Sequence, residues 1–391
     1  MPKQDRPQFN LSELSGSLAD LGVLMPIAVS LIMLNKLNPT AVFLGVGLLY
    51  FLGGWYFRIP VPVQPLKAMA VIALTIGASP ALIAAAGMEM GLFLLLLSLT
   101  GLIDRIAAWF SRPIIRGIQL SVGVLLVKKG LNLILAPSGN NPGSWISLSG
   151  ALVTLVLLIA WGENRRFPAV LAALLLGGLF GVLGPGAGLI KHAQTGWVPL
   201  TPVLPSMNDF LTGFWLLLIP QIPLTLGNAV VATADTARQY FGDRAEKVTP
   251  KGLSVSLGAA NLIIGFFGGM PACHGSGGLT AHYRFGARTG GSGIILGTVL
   301  ITLALVFGEG SLAILNLIPP AVLGMLLMIV GIEHAALISD MAGSRAQMVV
   351  ALIVASLSLA TGNLAVGFLA GLACDLLKER SSRLAAFIEN P

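Results

Sequence analysis

Apolar residues run along this chain in long blocks, separated by short clusters of charge or of Pro, Gly and Asn. A helix needs about twenty apolar residues to cross a bilayer, and blocks of this kind predict membrane spans. The blocks of the first half lie near 18–35, 39–57, 65–78, 80–102, 114–136, 145–161 and 167–184. Those of the second half lie near 210–236, 250–268, 277–289, 291–308, 311–333, 346–361 and 363–378. Residues 185–209 are polar and rich in Pro and Gly, and read as a linker. The expected organisation is a first repeat over 1–184, a linker over 185–209 and a second repeat over 210–391. Each repeat holds seven segments, an odd number, so the second enters the membrane from the opposite side.

The third segment of each half departs from the pattern. Ile59-Pro60-Val61-Pro62-Val63-Gln64-Pro65-Leu66-Lys67-Ala68 interrupts the first with three prolines in close succession. Proline donates no backbone hydrogen bond and disfavours helix in the residue before it. Ile59 to Gln64 is therefore expected to be extended, with a helix starting near Pro65. The apolar run that follows, Met69 to Ala78, is about half a span long. In the second half, Gly268-Gly269-Met270-Pro271-Ala272-Cys273-His274-Gly275-Ser276-Gly277-Gly278 precedes a short helical piece, Leu279 to Ala287. Interrupted segments at matching places in two halves point to a transporter site. The expected fold class is an all-α polytopic membrane protein, a seven-plus-seven transmembrane inverted repeat with broken third and tenth segments.

Composition agrees with this class. Of 391 residues, 55% are hydrophobic and 10% charged, and the mean hydropathy is +0.88. Soluble domains carry about 25% charged residues. The isoelectric point near 9.7 does not signal a nucleic-acid partner, because the basic residues sit in short loops between apolar runs. With the N-terminus inside, all of the 23 basic residues except Lys36, Lys67, Lys128, Lys129 and Lys191 fall on the cytoplasmic side. The two cysteines, Cys273 and Cys374, form no metal-type pair and imply no disulfide framework. No metal or other cofactor is expected, and no cleavable signal is read in the polar start.

The inverted arrangement would aim both short helices' N-termini at the midplane. Each N-terminus presents unpaired N–H groups and about half a positive charge, and a facing pair suits an anion. Gly275, Ser276, Gly277 and Gly278 allow close backbone approach, Gln64, His274 and Ser276 add side-chain donors, and Lys67 adds a full charge. The competing reading makes the glycines helix-packing points and lets Lys67 snorkel. Magnitudes favour the site. Desolvating a dianion costs tens of kcal/mol. Helix ends return about 2 kcal/mol each at best, and hydrogen bonds to a charged group roughly 1.5–3 kcal/mol each. A nearby cation closes much of the gap. In the eighth segment Gln221, Thr225 and Asn228 recur at spacings of four and three, on one helical face. They form either a site wall or interhelical hydrogen bonds. Asp20, Glu89, Asp235 and His274 are candidate proton carriers, with arginine pairing as the alternative for Asp20 and Asp235 and a basic partner for Glu89. Lys128 and Lys129 read as snorkelling residues, His192 and His334 as loop or interface residues, and Cys273 as packing.

Pro62-Val63-Gln64-Pro65-Leu66-Lys67-Ala68 and Met270-Pro271-Ala272-Cys273-His274-Gly275-Ser276-Gly277-Gly278 resemble the two signatures of the molybdate transporter family, a branch of the sulfate permease superfamily. Tyr283-Arg284-Phe285-Gly286-Ala287-Arg288-Thr289-Gly290, Glu13 to Gly22 and Gln221 to Asn228 carry the resemblance further. It implies a fold shared with the uracil permease, with segments 1–4 and 8–11 as a core and 5–7 and 12–14 as a gate. It implies uptake of molybdate, with sulfate as competitor. Sulfate permeases typically carry a cytoplasmic regulatory domain. Only residues 378–391 follow Leu377 here, so that domain is expected to be absent.

The expected function is secondary active import of a tetrahedral oxyanion, most simply molybdate, across the inner (plasma) membrane, with both termini cytoplasmic. A sulfate, other anion or nucleobase transporter is the alternative, and a homodimer is allowed. An intramembrane hydrolase built on Ser276 and His274 is disfavoured, since a nucleophile elbow needs Gly-x-Ser-x-Gly and Gly275 directly precedes Ser276. An enzyme is not expected. No sodium-binding constellation is visible, which leaves a cotransported proton as the expected coupling partner.

Overall fold

The computed structural model describes residues 6–135, 143–161, 169–183, 196, 198–310, 317 and 319–380. The chain is mostly helical. Helices α1 (Leu11–Leu18), α2 (Leu21–Asn35) and α3 (Pro39–Phe57) lead to strand β1 (Gln64–Pro65). Then come α4 (Lys67–Ile76), α5 (Pro80–Leu99), α6 (Leu102–Ala107), α7 (Arg112–Leu135), α8 (Gly143–Trp161) and α9 (Ala169–Leu183). A continuous rod, α10 (Met207–Ala245), opens the second half. It is followed by α11 (Pro250–Phe266), β2 (Ala272–Cys273), α12 (Ser276–Arg284), α13 (Gly291–Phe307), α14 (Pro320–Ala335), α15 (Arg345–Thr361) and α16 (Leu364–Arg380). Among the described residues, six helical stretches are long and apolar enough to cross a membrane: Leu11–Asn35, Pro39–Phe57, Pro80–Leu99, Arg112–Leu135, Met207–Ala245 and Pro320–Met341.

Local sequence sets several helix starts. Asn38, Ser79 and Thr249 each precede a proline. Each side chain accepts from the third residue on: Ala41 N at 3.1 Å, Leu82 N at 3.1 Å and Gly252 N at 3.0 Å. Capping satisfies a free donor, and proline loses nothing at the first helical position. In α10, Pro220 and Pro223 supply no N–H, and the winding widens to π-helix over Phe214–Leu218 and Thr225–Ala232.

The structure differs from the sequence reading at both interrupted segments. The first short helix begins at Lys67 rather than Pro65, because Pro65 is held extended in β1. The second begins at Ser276 rather than Leu279 and ends at Arg284. The all-α expectation also missed β1 and β2, which pair antiparallel with Gln64 opposite Cys273 and Pro65 opposite Ala272. Gln221, Thr225 and Asn228 share a side of a partly π-wound rod rather than a regular α-helical face.

Helices from the two halves touch backbone to backbone at paired glycines. A Cβ on Gly123 of α7 would lie 2.6 Å from Gly331 O of α14, and one on Gly331 would lie 2.7 Å from Gly123 O. One turn-pair along, Gly130 and Gly324 meet in the same way. In lipid, helices associate through close packing of small residues rather than through the hydrophobic effect. Gly123→Leu is expected to force α7 and α14 apart and to cost about 1–3 kcal/mol or more by overpacking. Thermal unfolding in detergent should show a clearly lowered midpoint for this variant, and an unchanged midpoint would contradict the contact.

Candidate anion-binding site

The two short helices α4 and α12 begin side by side because their lead-in segments are bonded together. Beyond the β1–β2 pairing, Leu66 N donates to Pro271 O at 3.0 Å. Asn261 of α11 bonds both backbone groups of Ala272: its Nδ2 donates to the carbonyl and its Oδ1 accepts from the N–H, each at 2.8 Å. The Cys273 thiol donates to Pro65 O at 3.3 Å. The far ends are held as well. Asn35 Nδ2 donates to Ala73 O and Ala78 O at the end of α4. Glu13 Oε1 accepts from Arg288 N and Thr289 N just beyond α12. Buried backbone groups that leave a helix need such partners.

Two side chains of α10, Gln221 and Asn228, reach these helix starts, and Thr225 braces the first. Gln221 Oε1 accepts from Met69 N in the first turn of α4 at 3.0 Å, and its Nε2 donates to Thr225 Oγ1 at 3.1 Å. Ser276, the first residue of α12, donates through Oγ to Asn228 Oδ1 at 2.6 Å. Ser276 Oγ also lies 3.0 Å from His334 Nε2 on α14, whose Nδ1 is 2.8 Å from Thr280 Oγ1. All of these side chains are buried.

Lys67 is the first residue of α4 and is half-buried. Its Nζ approaches the start of α12: a Cβ on Gly275 would lie 3.8 Å from it and 2.5 Å from Gln64 Oε1. Glycine at 275 thus avoids a clash where an ammonium, an amide and two helix N-termini converge, the candidate gap. Gln64 Nε2 donates to Asp20 Oδ1, and Tyr50 OH donates to Asp20 Oδ2. His282 Nε2 stands 3.8 Å from that same Asp20 Oδ2. The arrangement is rich in donors and in positive potential, the chemistry that holds an oxyanion.

The structure thus brings Gln64, Lys67, Gln221, Thr225, Asn228, Gly275 and Ser276 together. Gly277 sits at the same helix start but faces α7, where a Cβ would meet Leu126 Cδ1 at 2.9 Å, so its smallness serves packing. His274 turns away, a correction to its reading as an anion donor. Its Nδ1 is 2.7 Å from Pro62 O and its Nε2 is 3.2 Å from Ser256 Oγ, so both nitrogens serve the scaffold. Asp235 pairs with the buried Arg116, which also bonds Asp340 and Gln119. Glu89 takes part in no ion pair among the described residues, and a Cβ on Gly213 of α10 would lie 3.3 Å from its Oε2. Lys128 and Lys129 are exposed, and His192 lies outside the described residues.

His334 is corrected more sharply. The apolar block ends at residue 333, which places His334 in a loop or at an interface. The helix continues to Ala335, and the ring is fully buried against Ser276. A titratable residue at the edge of an apolar block was the available signal. Tyr50, Asn261, Thr280 and His282 were also missed. Each lies in an apolar or signature stretch, and only the fold gives it a partner.

Comparison with known proteins follows from this geometry. The profile of the family described as "Molybdate transporter of MFS superfamily" matches residues 12–126 and 213–333. The chain is 32% identical over 408 residues to "Molybdate transporter 2" of Arabidopsis thaliana, covering 94% of this chain and 87% of that one. Its fold is similar to the transmembrane domain of a cyanobacterial bicarbonate transporter, BicA, with TM-score 0.59, 19% identity, and 92% and 96% of the two chains covered. It is also similar to the murine anion transporter Slc26a9 in its inward-facing state, with TM-score 0.63, 18% identity, and 96% and 69% covered. These relatives are transporters and not enzymes.

The clamp at Ala272 can be tested without touching the gap itself. Asn261→Leu strips two buried backbone groups of their partner, at roughly 1–3 kcal/mol each. The variant should unfold at lower temperature and bind oxyanions more weakly, by thermal melting and calorimetric titration. Wild-type values in both would remove Asn261 from the site's support.

Proposed function

The chain belongs to the molybdate transporter family, and from that premise we propose that it imports molybdate as a secondary active transporter. The anion binds in the gap kept open by Gly275, between the N-termini of α4 and α12, with Lys67 supplying the full positive charge. The observation that carries this reading is the β1–β2 pairing, which sets two helix N-termini and the Lys67 ammonium around one point. Gln221, Thr225, Asn228 and Ser276 orient the helix starts and line the gap.

The proposed architecture is the seven-plus-seven inverted repeat, with segments 1–4 and 8–11 moving as a core against a gate of 5–7 and 12–14. The glycine-paired contacts that cross between the halves are consistent with it. The site sits where the core meets the gate, because His334 of α14 contacts Ser276 and Thr280 of α12. Both termini face the cytoplasm in this reading, as the positive loops favour.

Import of a dianion needs a driving force. Moving one charge against 100 mV costs about 2.3 kcal/mol, so a dianion entering a negative cell faces about twice that. Lys67 returns with the core and cancels none of it over a cycle. Cotransported cations or an exchanged anion would supply the driving force; of these we take protons, one of which offsets half of the electrical cost while a pH gradient or a second proton supplies the rest, with Asp20, Glu89, Asp235 and His274 as the candidate carriers. Asp20 stands closest to the gap, through Gln64. Asp235 is engaged by Arg116 and His274 by backbone and Ser256.

Lys67→Met should bind molybdate at least about tenfold more weakly, the loss of one hydrogen-bonded charge worth roughly 1.5–3 kcal/mol. Calorimetric titration of the folded variant measures this, and wild-type affinity would remove Lys67 from the site. In proteoliposomes, wild type should accumulate molybdate, with tungstate and sulfate competing and uracil inert. Uptake should rise when the outside is acidified at constant membrane potential. Uptake of uracil but not of the oxyanions would replace this reading with the nucleobase one.

A further inference from the structure

We propose that the side-chain amide of Gln64 is a two-position switch that makes oxyanion binding depend on a proton carried by Asp20. This deepens the oxyanion-symport reading and rests on it.

The argument starts from hydrogen-bond polarity. An ionised carboxylate only accepts, whereas a primary amide has a donor end and an acceptor end. Asp20 accepts from Gln64 through one oxygen and from Tyr50 through the other. With Asp20 ionised, Gln64 must therefore turn its NH2 inward to the carboxylate. Its Oε1 then faces outward, buried and without a hydrogen-bond partner, toward the gap beside Gly275 and Lys67. An amide oxygen at the entrance of an anion site has the wrong polarity, since it sets one lone-pair oxygen against another.

A proton on Asp20 reverses this. The carboxyl O–H becomes a donor, the Gln64 amide turns over, and Oε1 accepts from Asp20. The NH2 now points into the gap as a donor to the oxyanion. No other bond forms or breaks: the proton arrives from the side where the site is open and leaves on the other side with the anion. Glycine flanks the amide at both ends. A Cβ on Gly275 would lie 2.5 Å from Oε1, and one on Gly278 would collide with Nε2 and lie 2.9 Å from Asp20 Oδ1. A side chain at either position would clash with the amide, so glycine at both lets it sit there in either orientation. Only two occupancies are then well bonded, proton with anion and neither, which is the condition for symport.

The titratable groups around Asp20 come from each neighbouring element. Tyr50 of α3 donates to it, and Cys273 of β2 lies beside it. Lys67 of α4 lies beside the same face of Gly275 as the Gln64 amide, its Nζ 3.8 Å from where a Cβ there would stand. His282 of α12 stands 3.8 Å away with no hydrogen bond to either ring nitrogen among the described residues, and Glu13 of α1 lies beyond His282. His282 is thus placed to pass the proton to Asp20.

The test is molybdate affinity against pH for the purified full chain, with proton-driven uptake in proteoliposomes. Wild-type affinity should fall as pH rises, by up to about tenfold per pH unit for one linked proton. Asp20→Asn carries a permanent donor for Oε1. It should bind at alkaline pH as tightly as wild type does at acidic pH, without a pH slope, and should lose accumulation driven by a proton gradient. Gln64→Leu removes the switch and should bind weakly at every pH; it decides the matter if Asp20→Asn does not fold. A wild-type slope in either folded variant overturns the switch. Wild type that binds molybdate with no slope overturns the switch and leaves the oxyanion reading standing. Wild type that binds none of molybdate, tungstate and sulfate overturns the oxyanion reading, and the switch with it.

Discussion

Two residues of antiparallel pairing, Gln64–Pro65 with Ala272–Cys273, hold the candidate site together. The constraint behind them is that backbone polar groups inside a membrane must find partners within the protein. Each lead-in segment contains prolines that prevent a continuous helix, so each leaves extended backbone to be satisfied. The segments satisfy one another, and Asn261 takes both backbone groups of Ala272, on the side away from β1. The pairing is short, yet it sets the distance and direction between two helix N-termini from opposite halves of the chain.

Around the pairing, buried polar residues divide into scaffold and surface of the gap. Asn35, Glu13, Asn261 and His274 bond backbone groups and so hold the short helices where they end or begin. Arg116 ties α7 to α10 and to the turn that holds Asp340. A buried charge of this kind is tolerable only when every donor is used, and breaking one partner leaves a large desolvation penalty. By contrast, Gln64 keeps an unbonded oxygen, and Lys67 keeps an ammonium facing the gap. Incompletely bonded groups beside well-satisfied neighbours call for an explanation, and the proposed anion site supplies one.

Ser276 joins the two sides of this design. It begins α12, bonds Asn228 of α10 and meets His334 of α14. An anion accepting at the start of α12 would compete for the same hydroxyl. In the proposed site, occupancy and contact with α14 would therefore be linked through one side chain.

By itself the sequence determined the class of the protein and the position along the chain of the two helix breaks that frame the candidate site. Hydropathy blocks decide membrane residence, because apolar length is a local property. The proline and glycine clusters at 59–68 and 268–278 decide where helix must stop, because proline and glycine act on their own backbone. Those rules also located Gln64, Lys67 and Ser276. Tertiary structure decided which polar groups face the gap. His274, in the middle of the signature, bonds Pro62 and Ser256. His334, outside it, reaches Ser276. Gln221 looked like part of a regular helical face, yet it lies on a rod whose winding changes around two prolines, and it caps α4. Asn261, in an apolar segment, clamps β2. Hydrogen bonds between residues far apart in the chain depend on where whole helices are placed. That placement is set by close contacts such as Gly123 with Gly331, which no local pattern records.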